Sequence, residues 1–477
     1  MNKTLVSGSV FYFIRQIAVL FLQLATNFFI LKWITPAEFG NFATLNIVIG
    51  ILQIFSDGGV SVYLVQKKQI PALPEIKNLL SVQFFVYLTI HILVILSYFI
   101  LKEKYILISY LAILIFSLPF NILKSFSFSL LERELKFKQV SIVEVTEVFA
   151  YAIIAILLAY FGLGIWSLVI ANLTKSIVGY LYSFYYNPIK LSLVIPKINY
   201  ELKKAFLFGF HFHSPNLLNS FRILINPIII GYLFGMQIVG INDRAIYIAG
   251  LPLFMLGAVQ QKILFPFFSR IQDRKLILNK VFYESYYLSS FIDKLLYIPL
   301  LLILPTFFKL YFQKWVAILP FINIVVFGNM IFGSFFFSLY PALNAIGKSN
   351  LISRFSIYTL CFSWIIIYPL SLILKEYSYV YLSLILWIIG LIPIRKIFLE
   401  NIGMIKNFKP FIIPLISILP SLCLSIFVNR KESIITFPQL FIFTLFSFIS
   451  YFILFYSFDK RFLISIYRLI KIKQKLQ

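Results

Sequence analysis

Ionisable side chains lie inside long apolar segments of this chain, where a charge needs a partner. Arg222 is the clearest example, because it stands about midway along an apolar run whose other polar residues recur at spacings of three and four. A charge at the centre of a bilayer costs at least ~2.5–3.5 kcal/mol. The arginine therefore either faces a watery cavity or extends its stem to an interface, and we favour the cavity. The polar residues on the same predicted helical face are His211, Asn219 and Asn226.

Further basic and amide side chains lie deep in other apolar segments. Arginine and lysine in a low-dielectric setting stabilise anionic groups, and amides can bond to the hydroxyl groups of sugars. Lys124 is close to a predicted cytoplasmic helix end, so we expect it to extend to the interface instead. The candidate substrate-binding cations are Arg15, Lys175, Arg222 and Lys294. The candidate polar lining consists of Gln23, Asn27, Asn172, His211, Asn219 and Asn226.

Acidic residues are scarcer in the apolar segments, and two of them form a pattern. Glu144 and Glu147 are one helical turn apart, so their like charges favour either proton exchange or pairing with a lysine. Asp293 directly precedes Lys294, which favours local pairing. Both interpretations stay open at this point. The candidate ion-coupling residues are Asp57, Glu144, Glu147 and Asp293.

The composition indicates an integral membrane protein. Of 477 residues, 61% are hydrophobic and 12% are charged, and the mean hydropathy is +0.94, which excludes an ordinary soluble domain. Apolar runs of about 20 residues recur along the whole chain. The net charge of +25 reports loop topology, so we expect no nucleic-acid partner. The histidines have no acid or cysteine nearby in a metal-binding pattern, and we expect no cofactor and no metal.

The apolar runs predict an all-α fold of about fourteen transmembrane helices. Every segment between them is short. The predicted spans are residues 8–31, 42–65, 79–101, 105–130, 141–161, 164–186, 205–233, 243–267, 282–306, 316–342, 352–374, 379–399, 410–428 and 434–457.

Basic residues in the loops predict the orientation. Alternate loops hold about three times as many lysines and arginines as the others, which predicts that both termini are cytoplasmic. The basic tail after the last span is expected to lie along anionic lipid headgroups. The localisation predicted is the bacterial plasma (inner) membrane, with a multi-pass topology.

A weak internal repeat predicts two lobes. Arg15 and Arg222 lie in spans one and seven, which enter the membrane in the same direction, as expected for a parallel repeat. The predicted organisation is an N-terminal six-helix lobe (1–190), a cytoplasmic linker (191–204), a C-terminal six-helix lobe (205–400), two additional helices (401–457) and a basic cytoplasmic tail (458–477).

Six short motifs, in their order and spacing, resemble those of one family. They are residues 34–40 (ITPAEFG), 55–59 (FSDGG), 131–137 (LERELKF), 162–168 (GLGIWSL), 264–273 (LFPFFSRIQD) and 343–348 (LNAIGK). Together they resemble the polysaccharide-transport branch of the multidrug/oligosaccharidyl-lipid/polysaccharide (MOP) exporter superfamily, which includes the O-antigen and capsule-precursor flippases. The resemblance extends from the first span to about residue 350.

This resemblance implies a fold and an activity. The implied fold has two six-helix lobes around a central cavity and two added C-terminal helices. The implied activity is a flippase that moves an undecaprenyl-diphosphate-linked oligosaccharide from the cytoplasmic to the outer leaflet by alternating access, for O-antigen, capsule or exopolysaccharide synthesis. The family often has an acid at the position of Asn226 and a tyrosine at the position of Asn242, so the chain departs from it there.

Two other classes remain as alternatives. A drug/cation antiporter of the same superfamily would prefer an acidic cavity, whereas the deep charges here are mainly basic. A membrane oligosaccharide polymerase or ligase would need a sizeable outer loop with catalytic residues, and no predicted outer loop is long. We therefore expect a transporter and not an enzyme. Its expected partners are the lipid-linked oligosaccharide and membrane lipids, with a glycan polymerase and H⁺ or Na⁺ as further candidates.

Overall fold

The structure of this chain is a computed structural model in which nearly every described residue is helical. It describes residues 3–66, 73–100, 105–134, 136–187, 194–195, 197, 200–403, 408–430 and 437–475. The chain divides into two compact units, Met1–Gly240 (unit 1) and Ile241–Gln477 (unit 2). The all-helical fold predicted from the sequence is confirmed.

Unit 1 contains ten helices and the beginning of an eleventh among its described residues. A π-helical turn, Asn226–Ile230, follows α9. The helices are α1 (Lys3–Leu31), α2 (Pro36–Asp57), α3 (Val60–Gln66), α4 (Leu73–Ile100), α5 (Tyr105–Ile115), α6 (Leu118–Arg133), α7 (Phe137–Tyr160), α8 (Ile165–Tyr186), α9 (Tyr200–Ile223), α10 (Gly231–Phe234) and α11 (Met236–Ile271).

Unit 2 contains the rest of α11 and seven further helices among its described residues. Short 3₁₀ turns at Gln313–Trp315 and Lys375–Tyr377 and a π-helical turn at Asn329–Gly333 connect some of them. The helices are α12 (Lys275–Tyr311), α13 (Ile318–Gly328), α14 (Ser334–Ala345), α15 (Ser349–Leu374), α16 (Ser378–Asn401), α17 (Lys409–Arg430) and α18 (Phe437–Lys475).

Eleven stretches within the described residues are long and apolar enough to cross a membrane, so the predicted count of fourteen is not confirmed. Helix α1 contributes only a shorter apolar segment, Arg15–Leu31. Helix α8 is not among the eleven, and its polar residues Asn172 and Lys175 lower its hydropathy. The predicted span 352–374 and residues 379–391 of the next predicted span fall within one continuous stretch, Asn350–Leu391.

The motif at residues 34–40 forms the start of α2. The Thr35 hydroxyl accepts a hydrogen bond from the Glu38 amide at 3.3 Å, and the Glu38 carboxylate accepts one from the Thr35 amide at 2.8 Å. This capping box satisfies amides at the helix start, and Pro36 fits the first helical turn because it lacks an amide hydrogen. A side chain at Gly164, which begins α8 at a positive φ, would overlap the Glu38 carboxylate. The motifs at 34–40 and 162–168 are therefore one packed structure.

Each unit has an apolar core of its own. In unit 1 the core joins α3, α4, α6 and α9, with Phe126 and Leu64 fully buried at its centre. In unit 2 it joins α11, α12, α14 and α16 around packed aromatic rings, and the Phe335 ring meets those of Phe282 and Tyr286 edge-on. Many outward-facing side chains are large and apolar, Phe21 and Tyr232 among them. Such a surface suits lipid, where helices associate through close packing more than through exclusion of water.

The compact units and the predicted lobes divide the chain at different places. Helix α9 packs on α2 and α3, so it belongs to unit 1, although the predicted C-terminal lobe begins at residue 205. The compact units are defined by which helices pack together. The predicted lobes are defined by an internal repeat, in which spans one and seven cross the membrane in the same direction. The two-lobe repeat, with its linker, added helices and tail, stays a prediction.

Candidate functional site

Arg15 lies in an ion pair that joins α1 to α7. Its Nη1 binds Glu144 Oε2, and its Nη2 donates to Gln16 Oε1 at 3.2 Å. The Arg15 side chain is 9% exposed, whereas that of Glu144 keeps 30% exposure. A buried arginine pairs with an acid because removing the acid would leave an uncompensated charge in an apolar setting. Glu144 is therefore the partner of Arg15 and also the accessible end of the pair.

Glu147, one turn further along α7, pairs with Lys124 of α6. The distance from Lys124 Nζ to Glu147 Oε2 is 2.8 Å, and both side chains are largely buried. Lys175 of α8 is half-buried and interacts electrostatically with Glu147. The expectation that Lys124 extends to the interface is therefore wrong, because its ammonium group has an acid within reach inside the helix bundle.

Gly179 makes room for this second pair. It is buried in α8, and a Cβ at this position would overlap Glu147 Oε2 and come within 2.9 Å of Lys124 Cδ. Only glycine lets the carboxylate fit between the two helices at this point. We call Arg15, Lys124, Glu144, Glu147 and Lys175 the N-terminal charged cluster.

The N-terminal charged cluster contains three basic side chains and two carboxylates, and all five lie within unit 1. A third carboxylate, that of Glu132 on α6, interacts electrostatically with Glu144 and Arg15, so the acids and bases in this region are equal in number. Pairing lowers the cost of holding charges in an apolar segment, and basic side chains in such a setting can bind an anionic group. The sequence left two roles open for Glu144 and Glu147, which are proton exchange and pairing with a cation. In the structure both glutamates pair with cations.

The predicted polar lining near this cluster bonds mostly to backbone or to other amides. Asn172 of α8 donates to Asn46 Oδ1 of α2 at 3.2 Å. Asn27 donates to the carbonyl of Gln23, one turn earlier in α1, at 2.7 Å. Gln23 itself is exposed. Their role in sugar recognition stays a prediction.

The polar face of α9 is only partly brought together. Arg222 is half-buried, and its Nη2 donates to Asn219 Oδ1 at 2.9 Å. Among the ion pairs of the described residues, Arg222 takes part in none. Asn226 is buried and donates to the carbonyl of Val239 at 3.2 Å. His211 belongs to α9, but its side chain lies outside the described part of the structure.

Asp57 lies at the end of α2 and makes mainly local bonds. It accepts from the Gly59 amide at 3.1 Å and from the Ser61 hydroxyl. The His213 Nε2 of α9 lies 3.6 Å from its Oδ2, a pairing that no pattern in the sequence indicated. Gly58 and Gly59 have positive φ angles, and Gly59 approaches the backbone of Gly209 directly. The motif at residues 55–59 therefore forms a tight turn against α9.

Asp293 and Lys294 form a separate, sealed pair in unit 2. Lys294 Nζ lies 3.0 Å from Asp293 Oδ1 and 3.0 Å from Ser290 Oγ, and Ser334 of α14 donates to Asp293. The two side chains are 2% or less exposed. The roles predicted for Lys294 in substrate binding and for Asp293 in ion coupling stay predictions.

Comparison with known proteins identifies a family and two solved structures to which this chain is similar. Residues 31–320 match the family described as "Polysaccharide biosynthesis protein". The fold matches the "Lipid II flippase MurJ, inward closed conformation" with a TM-score of 0.71 at 18% identity, over 96% of this chain and 100% of that one. It also matches the inward-facing conformation of a multidrug resistance MATE family transporter of the MOP superfamily, with a TM-score of 0.58 at 11% identity over 86% and 96%.

Three relatives with curated descriptions cover about two thirds of this chain or slightly less. An uncharacterized membrane protein in the cps region of Klebsiella pneumoniae is 27% identical over 60% of each chain. The lipopolysaccharide biosynthesis protein WzxC of Escherichia coli (strain K12) is 21% identical over 68% of this chain and 67% of its own length. The teichuronic acid biosynthesis protein TuaB of Bacillus subtilis (strain 168) is 22% identical over 68% of each.

The matched region includes the N-terminal charged cluster, apart from Arg15, and the motifs that position it. It covers more than half of the 477 residues. This chain, an all-helical membrane protein whose fold matches those of MurJ and a MATE transporter, belongs to the polysaccharide biosynthesis protein family.

Proposed function

We propose that this protein is a flippase for a lipid-linked oligosaccharide. It moves an undecaprenyl-diphosphate-linked glycan from the cytoplasmic to the outer leaflet of the plasma membrane, by alternating access, for surface polysaccharide synthesis. The descriptions of WzxC and TuaB, which concern lipopolysaccharide and teichuronic acid biosynthesis, support a role in glycan assembly. The fold shared with a lipid II flippase supports transport of a lipid-linked substrate.

The observation that carries this proposal is the group of three basic side chains in the N-terminal charged cluster. A diphosphate headgroup is anionic, and Arg15, Lys124 and Lys175 are cations within a largely apolar unit. Charge-assisted hydrogen bonds to phosphate are stronger where water is excluded. The cluster therefore binds the diphosphate, while the polyprenyl tail remains in lipid.

Arg222 is a second proposed contact. Its guanidinium donates to the neutral amide of Asn219, and among the ion pairs of the described residues it pairs with no carboxylate. It can therefore bind a phosphate or an acidic sugar. A guanidinium presents a planar fork that matches both groups. The proposed sugar contacts are Asn172, Asn219 and the neighbouring amides.

The same proposal covers the cellular setting. Both termini lie in the cytoplasm, and the basic tail lies on anionic headgroups of the inner leaflet. The proposal includes coupling to H⁺ or Na⁺ through Asp57, Glu144, Glu147 or Asp293. It also includes a glycan polymerase as a partner.

A drug/cation antiporter is the second candidate, because the fold also matches a multidrug transporter. A cationic drug would meet the basic side chains Arg15, Lys124 and Lys175 in the N-terminal charged cluster, whose acids already pair with cations, and like charges repel. Cells that express this protein should therefore not extrude a cationic dye such as ethidium faster than control cells. Faster extrusion would favour the antiporter.

The decisive test uses a bacterial strain that lacks its own flippase and makes the matching lipid-linked glycan. Expression of this chain should restore surface glycan and remove the lipid-linked intermediate that accumulates on the cytoplasmic leaflet. The intermediate is quantified by mass spectrometry, and its leaflet by a membrane-impermeant sugar-binding probe. Persistence of the intermediate inside, with the protein present in the membrane, would contradict the proposal.

A further inference from the structure

We infer that Glu144 and Glu147 are internal counter-anions that occupy the cations of the N-terminal charged cluster until the phosphates of a substrate replace them. This inference rests on the proposed function and extends it. The two glutamates, and Lys124 with them, then set how tightly the site holds a lipid diphosphate and how easily the site releases it.

The first step is the position of the two acids on α7. They are three residues apart, so they lie on one side of the helix, yet they reach different partners. Glu144 binds Arg15 of α1, and Glu147 binds Lys124 of α6. A lipid diphosphate also presents two linked anionic groups. Replacement of both carboxylates by one diphosphate would keep a negative partner for each cation.

The second step is the geometry of the Arg15 fork. The carboxylate of Glu144 binds Nη1, whereas Nη2 bonds to the neutral amide oxygen of Gln16 at 3.2 Å. A guanidinium binds most strongly when two of its N–H groups meet two oxygens of one anion. A phosphate that engages both nitrogen atoms can therefore compete with the bond between Nη1 and Glu144.

The third step is access, which differs between the pairs of the N-terminal charged cluster and the pair in unit 2. Glu144 keeps 30% exposure and Lys124 keeps 17%, whereas the pair in unit 2, Asp293 and Lys294, is 0% and 2% exposed. An incoming anion can approach only where the pair has an open side. Glu144 and Lys124 have such a side, and Asp293 does not.

The fourth step is the space around Glu147. Gly179 has no side chain, so the carboxylate lies directly against the backbone of α8. When that carboxylate turns away from Lys124, the volume that it leaves is polar on the lysine side and suits a phosphate oxygen. A displaced carboxylate must then reach water, because a lone charge in an apolar segment is costly.

The test compares neutral variants of the two acids in the full-length protein, purified in detergent. The probe is undecaprenyl diphosphate, and its affinity is followed by ligand-dependent thermal unfolding. Glu144→Gln and Glu147→Gln should each bind the probe about tenfold more tightly than the wild type, since a competing charged partner is lost. The same variants should restore less surface glycan, because release is slower.

Glu134→Gln is the matched control. Glu134 pairs with Lys136 at 2.6 Å on the exposed surface, so its loss should change neither affinity nor transport. If the wild type does not bind undecaprenyl diphosphate, the proposed function fails. If the wild type binds it and neither Gln variant binds more tightly, only the displacement inference fails.

A second measurement does not depend on the folding of variants. A water-soluble carbodiimide with an added amine labels carboxylates that reach water, and the labelled peptides of the wild-type protein are quantified by mass spectrometry. Undecaprenyl diphosphate should increase labelling at Glu144 and Glu147 at least about threefold, because their ion pairs open. Labelling that stays equal or falls on binding would overturn the inference.

Discussion

Arg15 and Arg222 are both arginines in apolar segments, but their guanidinium groups contact different partners. Arg15 is buried against the carboxylate of Glu144, whereas Arg222 is half-buried and contacts the amide of Asn219. Removing a charge whose partner is a buried acid leaves that acid uncompensated, so folding suffers. Removing a charge that contacts a neutral amide leaves no such acid behind. Loss of Arg15 should therefore reduce protein stability more than loss of Arg222.

Arg222 provides the prediction at this scale. Arg222→Ala should abolish surface glycan in the complementation strain while the amount of protein in the membrane stays normal. Arg222→Lys keeps the charge and loses the fork, so it should retain partial activity. Glycan display and membrane protein level are measured side by side by immunoblotting.

The control for Arg222 is Arg354→Ala, since Arg354 is exposed near the start of α15. This variant should retain full glycan display. A normal display from Arg222→Ala would remove Arg222 from substrate binding, and a low protein level would make it a structural residue.

Helices α2 and α11 cross through glycine. A Cβ at Gly40 would overlap the Met236 carbonyl, and a Cβ at Gly240 would overlap the Pro36 carbonyl. Each glycine lies against a backbone carbonyl of the opposite helix. Small residues at an interface let helices approach closely in membranes. The two helices can cross this closely because neither Gly40 nor Gly240 has a Cβ atom.

Two alanine substitutions within α2 test this crossing. Gly40→Ala should lower the free energy of unfolding in detergent by roughly 1–3 kcal/mol, because the backbone must move to admit the methyl group. Gly50→Ala, on the same helix and with open space around it, should leave stability unchanged or raise it slightly. Equal effects of the two substitutions would mean that the helices do not touch at Gly40.

The last helix changes character at Asp459. Its φ of −148° and ψ of 71° interrupt α18, and its Oδ1 accepts from the Phe462 amide at 3.1 Å as a new cap. Its Oδ2 accepts from the Tyr287 hydroxyl of α12 at 3.2 Å, and the Phe462 ring stacks on Tyr287. The segment after Asp459 therefore begins as an anchored second helix. Its sequence contains no acid and the basic residues Lys460, Arg461, Arg468, Lys471, Lys473 and Lys475.

This basic segment should lie on anionic headgroups. In liposomes with phosphatidylglycerol, amine-reactive labelling of Lys471, Lys473 and Lys475 should be several times slower than in phosphatidylcholine alone. Lys136, exposed and paired with Glu134, serves as the internal reference. Equal labelling in both lipids would exclude binding of the tail to anionic lipid.

At the scale of the whole molecule, loop charge predicts the orientation of the chain in the membrane. The predicted cytoplasmic sites Lys136 and Lys348 and the predicted outer sites Lys32 and Lys314 are all exposed in the structure. The native Cys361 and Cys423 are free and exposed, so they are first replaced by serine. Single cysteines at the four lysines should then react with an impermeant maleimide from outside only at positions 32 and 314. The reverse pattern at two of the four sites would overturn the topology.

The sequence by itself determined the helical class, the membrane location of the helices and the resemblance to the family. These depend on composition, on apolar runs and on short motifs, all of which are local along the chain. The motif at residues 34–40 is one example, because its capping box involves residues only three apart. The spacing of Glu144 and Glu147 likewise predicted that the two acids share one side of a helix.

The tertiary structure alone decided which charges meet. Arg15 and Glu144 are 129 residues apart, and Lys124 and Glu147 are 23 apart on neighbouring helices. Their pairing depends on how the helices pack and on the space left by Gly179, and no local pattern encodes either. Lys124 thus looked like an interfacial lysine in the sequence, although an acid on α7 holds it within the unit. The placement of α9 beside α2 and α3 was hidden for the same reason, because a packing partner follows from the shapes of both surfaces.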